Sequence, residues 1–243
     1  VTCGMDQVTC VLANGFAAMI DIPGLNYRTQ RYQESYDQLP QNLILGSETA
    51  STVSSRGVYK FPVEDKKGAK YEDHQCSSYD VEVCPWSNIP DEDFALADDH
   101  HWTIGQFVWT GFDYGGEAQL HFWPGVVSHF GILDYCGFPK DAFWYYKAWW
   151  TEEPVLHVLP HWNGIGTDSV DVHLYTNMDE VELFLNGKSL GKKTVEKFDI
   201  PAWRVKYTPG KLLAKGKKNG KKYTELVETT GNPASLQLVS ENG

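Results

Sequence analysis

Two stretches decide the fold of the first half of this chain. Residues 43–51 read L-I-L-G-S-E-T-A-S, and residues 105–119 read G-Q-F-V-W-T-G-F-D-Y-G-G-E-A-Q. Each begins with a short apolar run, which predicts a buried strand, and each ends abruptly in polar and aromatic residues. In barrels of parallel strands, side chains with a function sit where strands end. We therefore expect Glu48 and Trp109 to lie at one edge of a sheet.

The segments around these stretches alternate between strand and helix up to residue 150. The predicted elements are, in chain order, a strand over 17–26, a helix over 30–39, a strand over 42–46, a helix over 91–102, a strand over 106–109 and a helix over 139–150. Residues 51–90 and 110–136 lack periodicity and are predicted as long loops. The alternation indicates three or four parallel βα units, half of an eightfold barrel.

The pattern changes after Pro154. Residues 170–176 (V-D-V-H-L-Y-T) and 181–188 (V-E-L-F-L-N-G-K) alternate apolar and polar side chains, and Pro209-Gly210 marks a turn. Short alternating strands with such turns are typical of an immunoglobulin-like β-sandwich. We predict domains over 1–150 and 151–231. Residues 232–243 are predicted to begin a further strand, as a linker or the start of another domain.

Charge divides the chain in the same place. Residues 1–150 contain nine Lys and Arg against twenty Asp and Glu, whereas residues 151–243 contain twelve of each, so the net charge of −11 belongs to the first part. This balance argues against nucleic acid as a partner, because phosphates require a basic footprint. No apolar run reaches membrane length. The lysine-rich run over 211–222 is interpreted as a solvated hairpin.

Cysteine and histidine spacing gives no metal site. The chain has five cysteines, none of them in a C-x-x-C pair: Cys3, Cys10, Cys76, Cys84 and Cys136. Zinc is therefore not expected, nor is any other cofactor. A bridge between Cys76 and Cys84 is consistent with an oxidising compartment, and Cys136 is expected to pack in a core. The sequence starts at Val1 and shows no signal peptide. If the protein is bacterial, it is expected in the periplasm or outside the cell.

Three motifs together resemble glycoside hydrolase family 2, which contains β-galactosidases, β-glucuronidases and β-mannosidases. They are residues 43–51, residues 107–117 (F-V-W-T-G-F-D-Y-G-G-E) and residues 128–141 (S-H-F-G-I-L-D-Y-C-G-F-P-K-D). The resemblance extends from residue 1 to about residue 235. It implies an α/β plus all-β chain, the C-terminal half of a (β/α)8 TIM barrel followed by an immunoglobulin-like sandwich.

The resemblance also implies residue roles. Glu48 matches the nucleophile that ends barrel strand seven, and Tyr27 matches the tyrosine that hydrogen-bonds this nucleophile. Trp109 matches the tryptophan that ends strand eight and stacks on the sugar. Without the resemblance, the spacing favours a solvated loop residue at Glu48 over a catalytic one.

Further side chains of the loop after Trp109 are candidates for binding substrate. Asp113 and Glu117 are expected either to bind sugar hydroxyls or to order the loop. Trp123 is expected either to line a subsite or to pack among the loop aromatics.

One departure from the family pattern concerns the second carboxylate. Retaining hydrolysis requires two carboxyl groups about 5–5.5 Å apart, and the family's acid/base is the glutamate of an Asn-Glu pair, which this sequence lacks. The resemblance places that residue upstream of Val1. Glu117 is a poor substitute because it follows strand eight. The expected partners are therefore a carbohydrate and the remaining half of the barrel or a second copy of this chain.

The motifs are less specific to the sugar than to the family. Glucuronidases of the family hold the substrate carboxylate with an Asn-x-Lys element, and the match Asn186-Gly187-Lys188 lies in the predicted sandwich. A β-galactoside is therefore favoured. Two other classes compete with an enzyme, namely a non-catalytic carbohydrate-binding module and a structural spacer. Neither explains Glu48 and Trp109.

Overall fold

The computed structural model describes residues 1–118, 121–164 and 166–239. The strands in these ranges are β1 (Thr2–Met5), β2 (Ile22–Asn26), β3 (Ile44–Thr49), β4 (Lys66–Lys67), β5 (Glu82–Val83), β6 (Thr103–Val108), β7 (Leu156–Leu159), β8 (Ser169–Thr176), β9 (Glu180–Leu185), β10 (Lys188–Thr194), β11 (Ala202–Lys206), β12 (Lys211–Lys218) and β13 (Lys221–Glu228). The helices are α1 (Val8–Ala13), α2 (Phe16–Met19), α3 (Tyr32–Gln38), α4 (Pro90–Asp99) and α5 (Asp141–Trp150), with a 3-10 turn at Thr29–Arg31. No described helix has the length and apolar character needed to cross a bilayer.

The first part of the chain forms a parallel sheet. Its strands lie in the order β1-β2-β3-β6, and every neighbouring pair is parallel. Parallel neighbours require crossover connections, which the helices α1 and α2, then α3, then α4 supply. Helix α4 begins with Pro90, and Asp91, Glu92 and Asp93 occupy its first turn, where the helix dipole favours negative charge.

A compact apolar cluster joins this sheet to its helices. Its buried members are Met5, Val8, Ala17, Leu25, Tyr32, Leu39, Ile44 and Trp102. Gly46 in β3 permits close packing, because a Cβ at this position would lie 3.0 Å from the Tyr32 hydroxyl oxygen and 2.8 Å from Cγ2 of Thr49. The sheet is thereby fixed against α3.

The parallel sheet has two free edges. Within the described residues, β1 pairs only with β2, and β6 pairs only with β3. The β6 edge is apolar, since the exposed fractions of Ile104 and Phe107 are 50% and 65%. An edge of this kind can accept a further strand.

The second part of the chain is a β-sandwich. A three-stranded sheet (β11-β8-β7) packs against a four-stranded sheet (β10-β9-β12-β13), and all pairs are antiparallel. Alternate residues point inward, so Val170, Val172 and Leu174 of β8 are buried in the shared core. Two tight hairpins shape the four-stranded sheet, Asn186-Gly187 and Asn219-Gly220. All four residues have positive φ, between 49° and 83°, as type I′ turns require.

Helix α5 connects the two parts and packs on β8 and β7. The Tyr175 hydroxyl donates a hydrogen bond to the Tyr79 carbonyl at 2.8 Å, and Asn177 Nδ2 donates to the Ala148 carbonyl at 2.9 Å. An aromatic cluster, which includes Phe94 and Tyr145, fills the space between α4, α5 and the sandwich. The sandwich is therefore attached through a packed junction.

The structure confirms the alternating elements, the irregular loops and the β-sandwich, and it corrects several boundaries. The apolar run predicted as one strand over 17–26 contains helix α2 before β2, because a short apolar run fits either element. The helix predicted over 91–102 ends at Asp99, and the helix predicted from Pro139 begins at Asp141. Residues 231–239 form no regular strand, and residues 240–243 of that prediction lie outside the described residues.

The cysteines also differ from expectation. Cys76 and Cys84 are buried but unbridged, and they share an apolar cluster with Val53 and Phe130. Burial raises the pKa of both thiols, that of Cys84 to about 12. Cys136 was predicted to pack in a core and is exposed instead, because its turn is held by Asp134. The Asp134 carboxylate accepts hydrogen bonds from the Cys136 and Phe138 amides at 2.9 Å.

Candidate active site

The ends of three neighbouring strands bring the main sequence candidates together. Asn26 ends β2 and pairs in register with Glu48 of β3. Trp109 follows β6, and its amide donates to the Thr49 carbonyl at 3.0 Å. The Tyr27 amide donates to the Glu48 carbonyl at 2.7 Å. Tyr27, Glu48 and Trp109 therefore occupy the carboxyl edge of the parallel sheet, as the sequence predicted.

The Glu48 carboxylate is held by two donors, one on each oxygen. Asn26 Nδ2 donates to Oε1 at 2.8 Å, and the Tyr27 hydroxyl donates to Oε2 at 2.9 Å. The Ser47 hydroxyl donates to Asn26 Oδ1 at 2.7 Å, which fixes the orientation of the amide. Hydrogen bonds to charged groups are stronger than neutral ones. This arrangement sets the direction of the Glu48 carboxylate.

Hydrogen-bond direction at Tyr27 follows from counting protons. The Tyr27 oxygen lies 2.6 Å from Ser51 Oγ. A phenol has one proton, and that proton is given to the carboxylate, so Ser51 donates to Tyr27. Burial raises the pKa of Tyr27 well above its usual value, and the Glu48 carboxylate raises it further. Tyr27 therefore remains a neutral donor over the range in which proteins work.

A second chain of contacts links Trp109 to Glu117. The indole Nε1 of Trp109 donates to the Tyr114 hydroxyl at 3.2 Å, and that hydroxyl donates to Glu117 Oε2. The rings of Trp109 and Tyr114 meet edge to face, with centroids 6.1 Å apart. Burial, followed by the hydrogen bond to Glu117, raises the pKa of Tyr114 to about 12. Glu117 is exposed, and its contacts orient the indole through Tyr114.

Asp113 lies in a different environment from the other candidates. Its side chain is almost fully buried and forms an ion pair with Lys140, whose Nζ lies 2.8 Å from Oδ2. The Gly131 amide donates to Oδ1 at 2.8 Å, and Lys140 Nζ also donates to the Ser54 carbonyl at 2.7 Å. Burial raises the pKa of Asp113 and lowers that of Lys140, and the ion pair opposes both shifts. These contacts favour the second expectation for Asp113, that it orders the loop.

Trp123 stands apart from the strand ends. Its exposed fraction is 85%, and it lies on the same loop as the exposed Phe122 and Val126. The structure thus joins Glu48, Tyr27 and Trp109 at one edge and connects Glu117 to them through Tyr114. It leaves Asp113 buried and Trp123 exposed.

Three residues of this site carried no predicted role. Asn26 and Ser51 complete the hydrogen bonds around Glu48, and Tyr114 joins Trp109 to Glu117. Asn26 precedes Tyr27 at the strand end, so its position was a usable signal. The contribution of Ser51 depends on the turn after β3, in which Ala50 adopts a φ of 66°. That geometry has no sequence signature.

Metal ligation is not a feature of the described part of the chain. No group of three or more His, Cys, Asp or Glu side chains there has an arrangement that could hold a metal ion. His121 lies near His129, with ring centroids 5.6 Å apart, and its Nε2 is 3.2 Å from Cys76 Sγ. Burial lowers the pKa of His129 to about 4, so that imidazole is neutral.

Comparison with known proteins places this arrangement in a class. Residues 167–224 match a family described as a domain of unknown function, DUF4982. The chain is 37% identical over 238 residues to the β-galactosidase BoGH2A of Bacteroides ovatus, a match that covers 93% of this chain and 28% of that protein. A putative β-glucuronidase of Formosa agariphila is 46% identical over 131 residues, covering 51% of this chain and 13% of that protein. The chain is a relative of glycoside hydrolases.

A solved structure indicates which family of glycoside hydrolases is similar to this chain. A glycosyl hydrolase family 2 member from Bacteroides cellulosilyticus superposes with a TM-score of 0.65 at 27% identity, covering 96% of this chain and 28% of that one. Together these matches indicate glycoside hydrolase family 2. It spans about a quarter of the length of the curated galactosidase that it matches.

Proposed function

We propose that this chain carries the nucleophile of a retaining β-glycosidase, and that the nucleophile is Glu48. The observation that carries the proposal is the carboxylate held by Asn26 and Tyr27 at a strand end. One Glu48 oxygen attacks the anomeric carbon, and the glycosidic oxygen departs with a proton from a general acid. The same group, now acting as a base, takes a proton from water, which displaces Glu48 from the anomeric carbon and restores its carboxylate with net retention. Trp109 supplies an apolar face for the sugar ring.

The general acid is proposed to come from a separate part of the barrel. Within the described residues, Glu117 forms no hydrogen bond with Glu48, and its contact through Tyr114 orients the indole of Trp109. We assign the acid/base to the Asn-Glu glutamate that the family resemblance places upstream, on strand four. Proton donation to a leaving group is worth about 10²–10⁴-fold in rate, so hydrolysis requires that residue.

The parallel sheet is proposed to be half of an eightfold barrel. Its strands follow chain order, its helices supply the crossovers, and both edges are free within the described residues. In this proposal residues 1–150 belong to the catalytic domain and residues 151–231 form an immunoglobulin-like domain. Residues 232–243 lead out of it. The three-plus-four strand arrangement supports the sandwich assignment.

The substrate is proposed to be a terminal β-galactoside. The Asn-x-Lys elements of this sequence, Asn186-Gly187-Lys188 and Asn219-Gly220-Lys221, lie in the β9–β10 and β12–β13 hairpins of the sandwich, whereas Glu48 lies at the edge of the parallel sheet. No Asn-x-Lys element of this sequence is therefore placed to hold a glucuronate carboxylate beside Glu48. Relatives are named for both sugars, and a β-glucuronide is the competing substrate.

A non-catalytic carbohydrate-binding module is the alternative function. It would require exposed aromatic rings on the sandwich. Trp162 is buried in the sandwich core and donates to the Thr208 carbonyl at 2.9 Å, and Trp203 is also buried. Neither indole can stack on a sugar, so the alternative is not favoured.

Covalent labelling tests the proposal. The probe is a 2-deoxy-2-fluoro-β-galactoside with a dinitrophenyl leaving group, which departs without acid assistance. We expect a glycosyl adduct on Glu48, detected by intact mass and peptide mapping, with Glu48→Gln as the unlabelled control. The same probe is applied to the chain extended upstream through the acid/base. A label on another residue, or none with either protein, would contradict the assignment of Glu48 or of a galactoside.

A further inference from the structure

The outer face of the four-stranded sheet carries an ordered array of side chains. Strand register places Lys192, Glu182, Lys215 and Thr224 in one row across the sheet. The next row consists of Thr194, Glu180, Lys217 and Lys222, and a third row consists of Ser189, Phe184, Leu213 and Leu226. We call Lys192, Lys215, Lys217 and Lys222 the lysine face. Two charged rows thus lie beside one largely apolar row.

The lysine face is only partly balanced by acidic partners, since its four lysines share two glutamates, Glu180 and Glu182. Lys217 lies directly opposite Lys222, and Lys218 lies directly opposite Lys221. Like charges in direct cross-strand pairs destabilise a sheet. Within the described residues, the ion pairs of this face include Lys192 with Glu180 at 3.2 Å and none for Lys215, Lys217 or Lys222. An anion placed here would remove a repulsion that the chain itself leaves in place.

A groove in this face has the size of a sugar site. It measures about 380 Å³, and the lysine face lines it together with Glu180 and Glu182. Lys215 Nζ lies 4.3 Å from the centre of the Phe184 ring, which holds this ammonium group beside the apolar row. The groove therefore offers donors for anionic groups, carboxylates that accept from hydroxyls, and apolar side chains alongside.

The lysines, glutamates and apolar side chains of this groove favour some polyanions over others. Duplex DNA presents closely spaced phosphates and no hydroxyl donors along its backbone, so Glu180 and Glu182 would be left without partners. An acidic polysaccharide instead carries spaced carboxylates or sulfates, with hydroxyls and C–H faces between them. Its hydroxyls can donate to Glu180 and Glu182 while its anionic groups pair with the lysines that line the same groove.

We propose that the lysine face of the sandwich is a docking surface for an acidic polysaccharide. The choice of a carbohydrate rests on the proposed function, whereas the preference for an anion rests on the lysine face alone. The surface would hold a charged polymer against the β-sandwich while Glu48 acts on sugars at the edge of the parallel sheet. It differs from a catalytic subsite because none of its residues belongs to the parallel sheet.

Direct binding to defined polymers tests the proposal. Native gels cast with polygalacturonate, dextran sulfate or neutral dextran measure the retardation of the 243-residue chain, and titration calorimetry gives the affinity. We expect binding to at least one acidic polymer and none to neutral dextran. The two acidic polymers distinguish carboxylate from sulfate recognition. Added salt should weaken binding, because exposed charge pairs are screened.

Paired variants separate the lysine face from overall charge. We expect Lys217→Gln/Lys222→Gln to weaken binding by about tenfold, the effect of removing two exposed ion pairs. Lys66→Gln/Lys67→Gln alters net charge equally and lies in β4, far along the chain, so it should bind as the original does. Circular dichroism establishes that both variants are folded.

Each other outcome contradicts one of the two proposals. Failure to bind either acidic polymer, or equal weakening by the two double variants, would remove the lysine face as a specific site. Tighter binding to duplex DNA or to phosphatidylglycerol vesicles would replace the polysaccharide with another polyanion. Loss of Glu48 labelling with polymer binding intact would contradict the proposed function only. The two proposals are therefore tested separately.

Discussion

Among single residues, Tyr27 exerts the most direct control over Glu48. Its hydroxyl is a donor to the carboxylate, and Ser51 orients that hydroxyl. We predict that Tyr27→Phe slows labelling of Glu48 by the fluorinated galactoside about ten- to a hundredfold, because one charged hydrogen bond of about 1.5–3 kcal/mol is lost. Tyr36→Phe is the matched control. It also removes a hydroxyl, and Tyr36 stacks on Trp102 away from Glu48. Equal rates for the two variants would show that Tyr27 only fills space.

The buried pair of Asp113 and Lys140 makes a prediction about stability. Removing one partner leaves an uncompensated buried charge, so Lys140→Met should lower the free energy of unfolding by about 3–5 kcal/mol. Lys147→Met, which removes an exposed ion pair with Glu153, should cost at most about 1 kcal/mol. Urea unfolding measures both. The double variant Asp113→Leu/Lys140→Met should recover part of the loss, and a double variant no better than Lys140→Met would contradict the ion-pair explanation.

Residues also show how far the sequence alone could predict this site. Glu48, Tyr27 and Trp109 were found because each ends a predicted strand and belongs to a family motif. The Asp113–Lys140 pair could not be found, since 27 residues separate its members and a loop without periodicity brings them together. Burial of Asp113 follows from that loop and not from its neighbours in sequence, so two expectations remained open for it.

At the scale of elements, the junction between α5 and β7 depends on a charged histidine. His157 Nε2 lies 2.6 Å from Asp141 Oδ1, and its Nδ1 lies 3.4 Å from Glu225 Oε1. Burial alone would lower the pKa of His157, but the two carboxylates outweigh it and raise the pKa to about 9. The ring also stacks on Trp144, with centroids 5.2 Å apart. Asp141 further accepts hydrogen bonds from Tyr59 and Ser78.

This raised pKa predicts the direction of a pH effect. The folded-state pKa exceeds the unfolded value of about 6.5. The stabilisation is therefore complete below about pH 6.5 and is lost as pH rises through about 9. The difference in unfolding free energy between the original chain and His157→Gln should shrink between these limits. His101→Gln, an exposed histidine, is the control. A difference that stays constant with pH would show that His157 acts through packing alone.

Elements also explain the boundary errors of the sequence prediction. The Asn186-Gly187 hairpin was predictable because its two residues adopt positive φ at little cost. The start of β2 was not, because the apolar residues 17–20 fit a helix or a strand equally well and packing decided between them. Helix α5 begins two residues after Pro139, since the Lys140 backbone is extended (φ −83°, ψ 174°) and its amide donates to the Ile132 carbonyl at 3.1 Å.

At the scale of the whole molecule, the net charge and the apolar sheet edge of residues 1–150 have opposite effects on association. The net charge of −11 belongs to residues 1–150, yet the same part has an open sheet with an apolar edge. Ile104 and Phe107 project from β6, and within the described residues one side of this strand has no partner strand, so its backbone groups can pair with another strand. Long-range charge repulsion and a local apolar edge therefore oppose each other in the chain on its own.

We predict that the local apolar edge prevails, so that the 243-residue chain self-associates through β6. Charge repulsion is screened over about 8–10 Å at physiological salt, whereas strand pairing acts at contact. Sedimentation equilibrium should show a mass that rises with protein concentration. Phe107→Lys should reduce this association, since a lysine on an edge strand disfavours pairing. Leu226→Lys, an equally apolar and exposed change on the sandwich, should leave it unchanged. A monomer at all concentrations, or equal effects of the two variants, would contradict an open edge at β6 and with it the proposal that this sheet is half of a closed barrel.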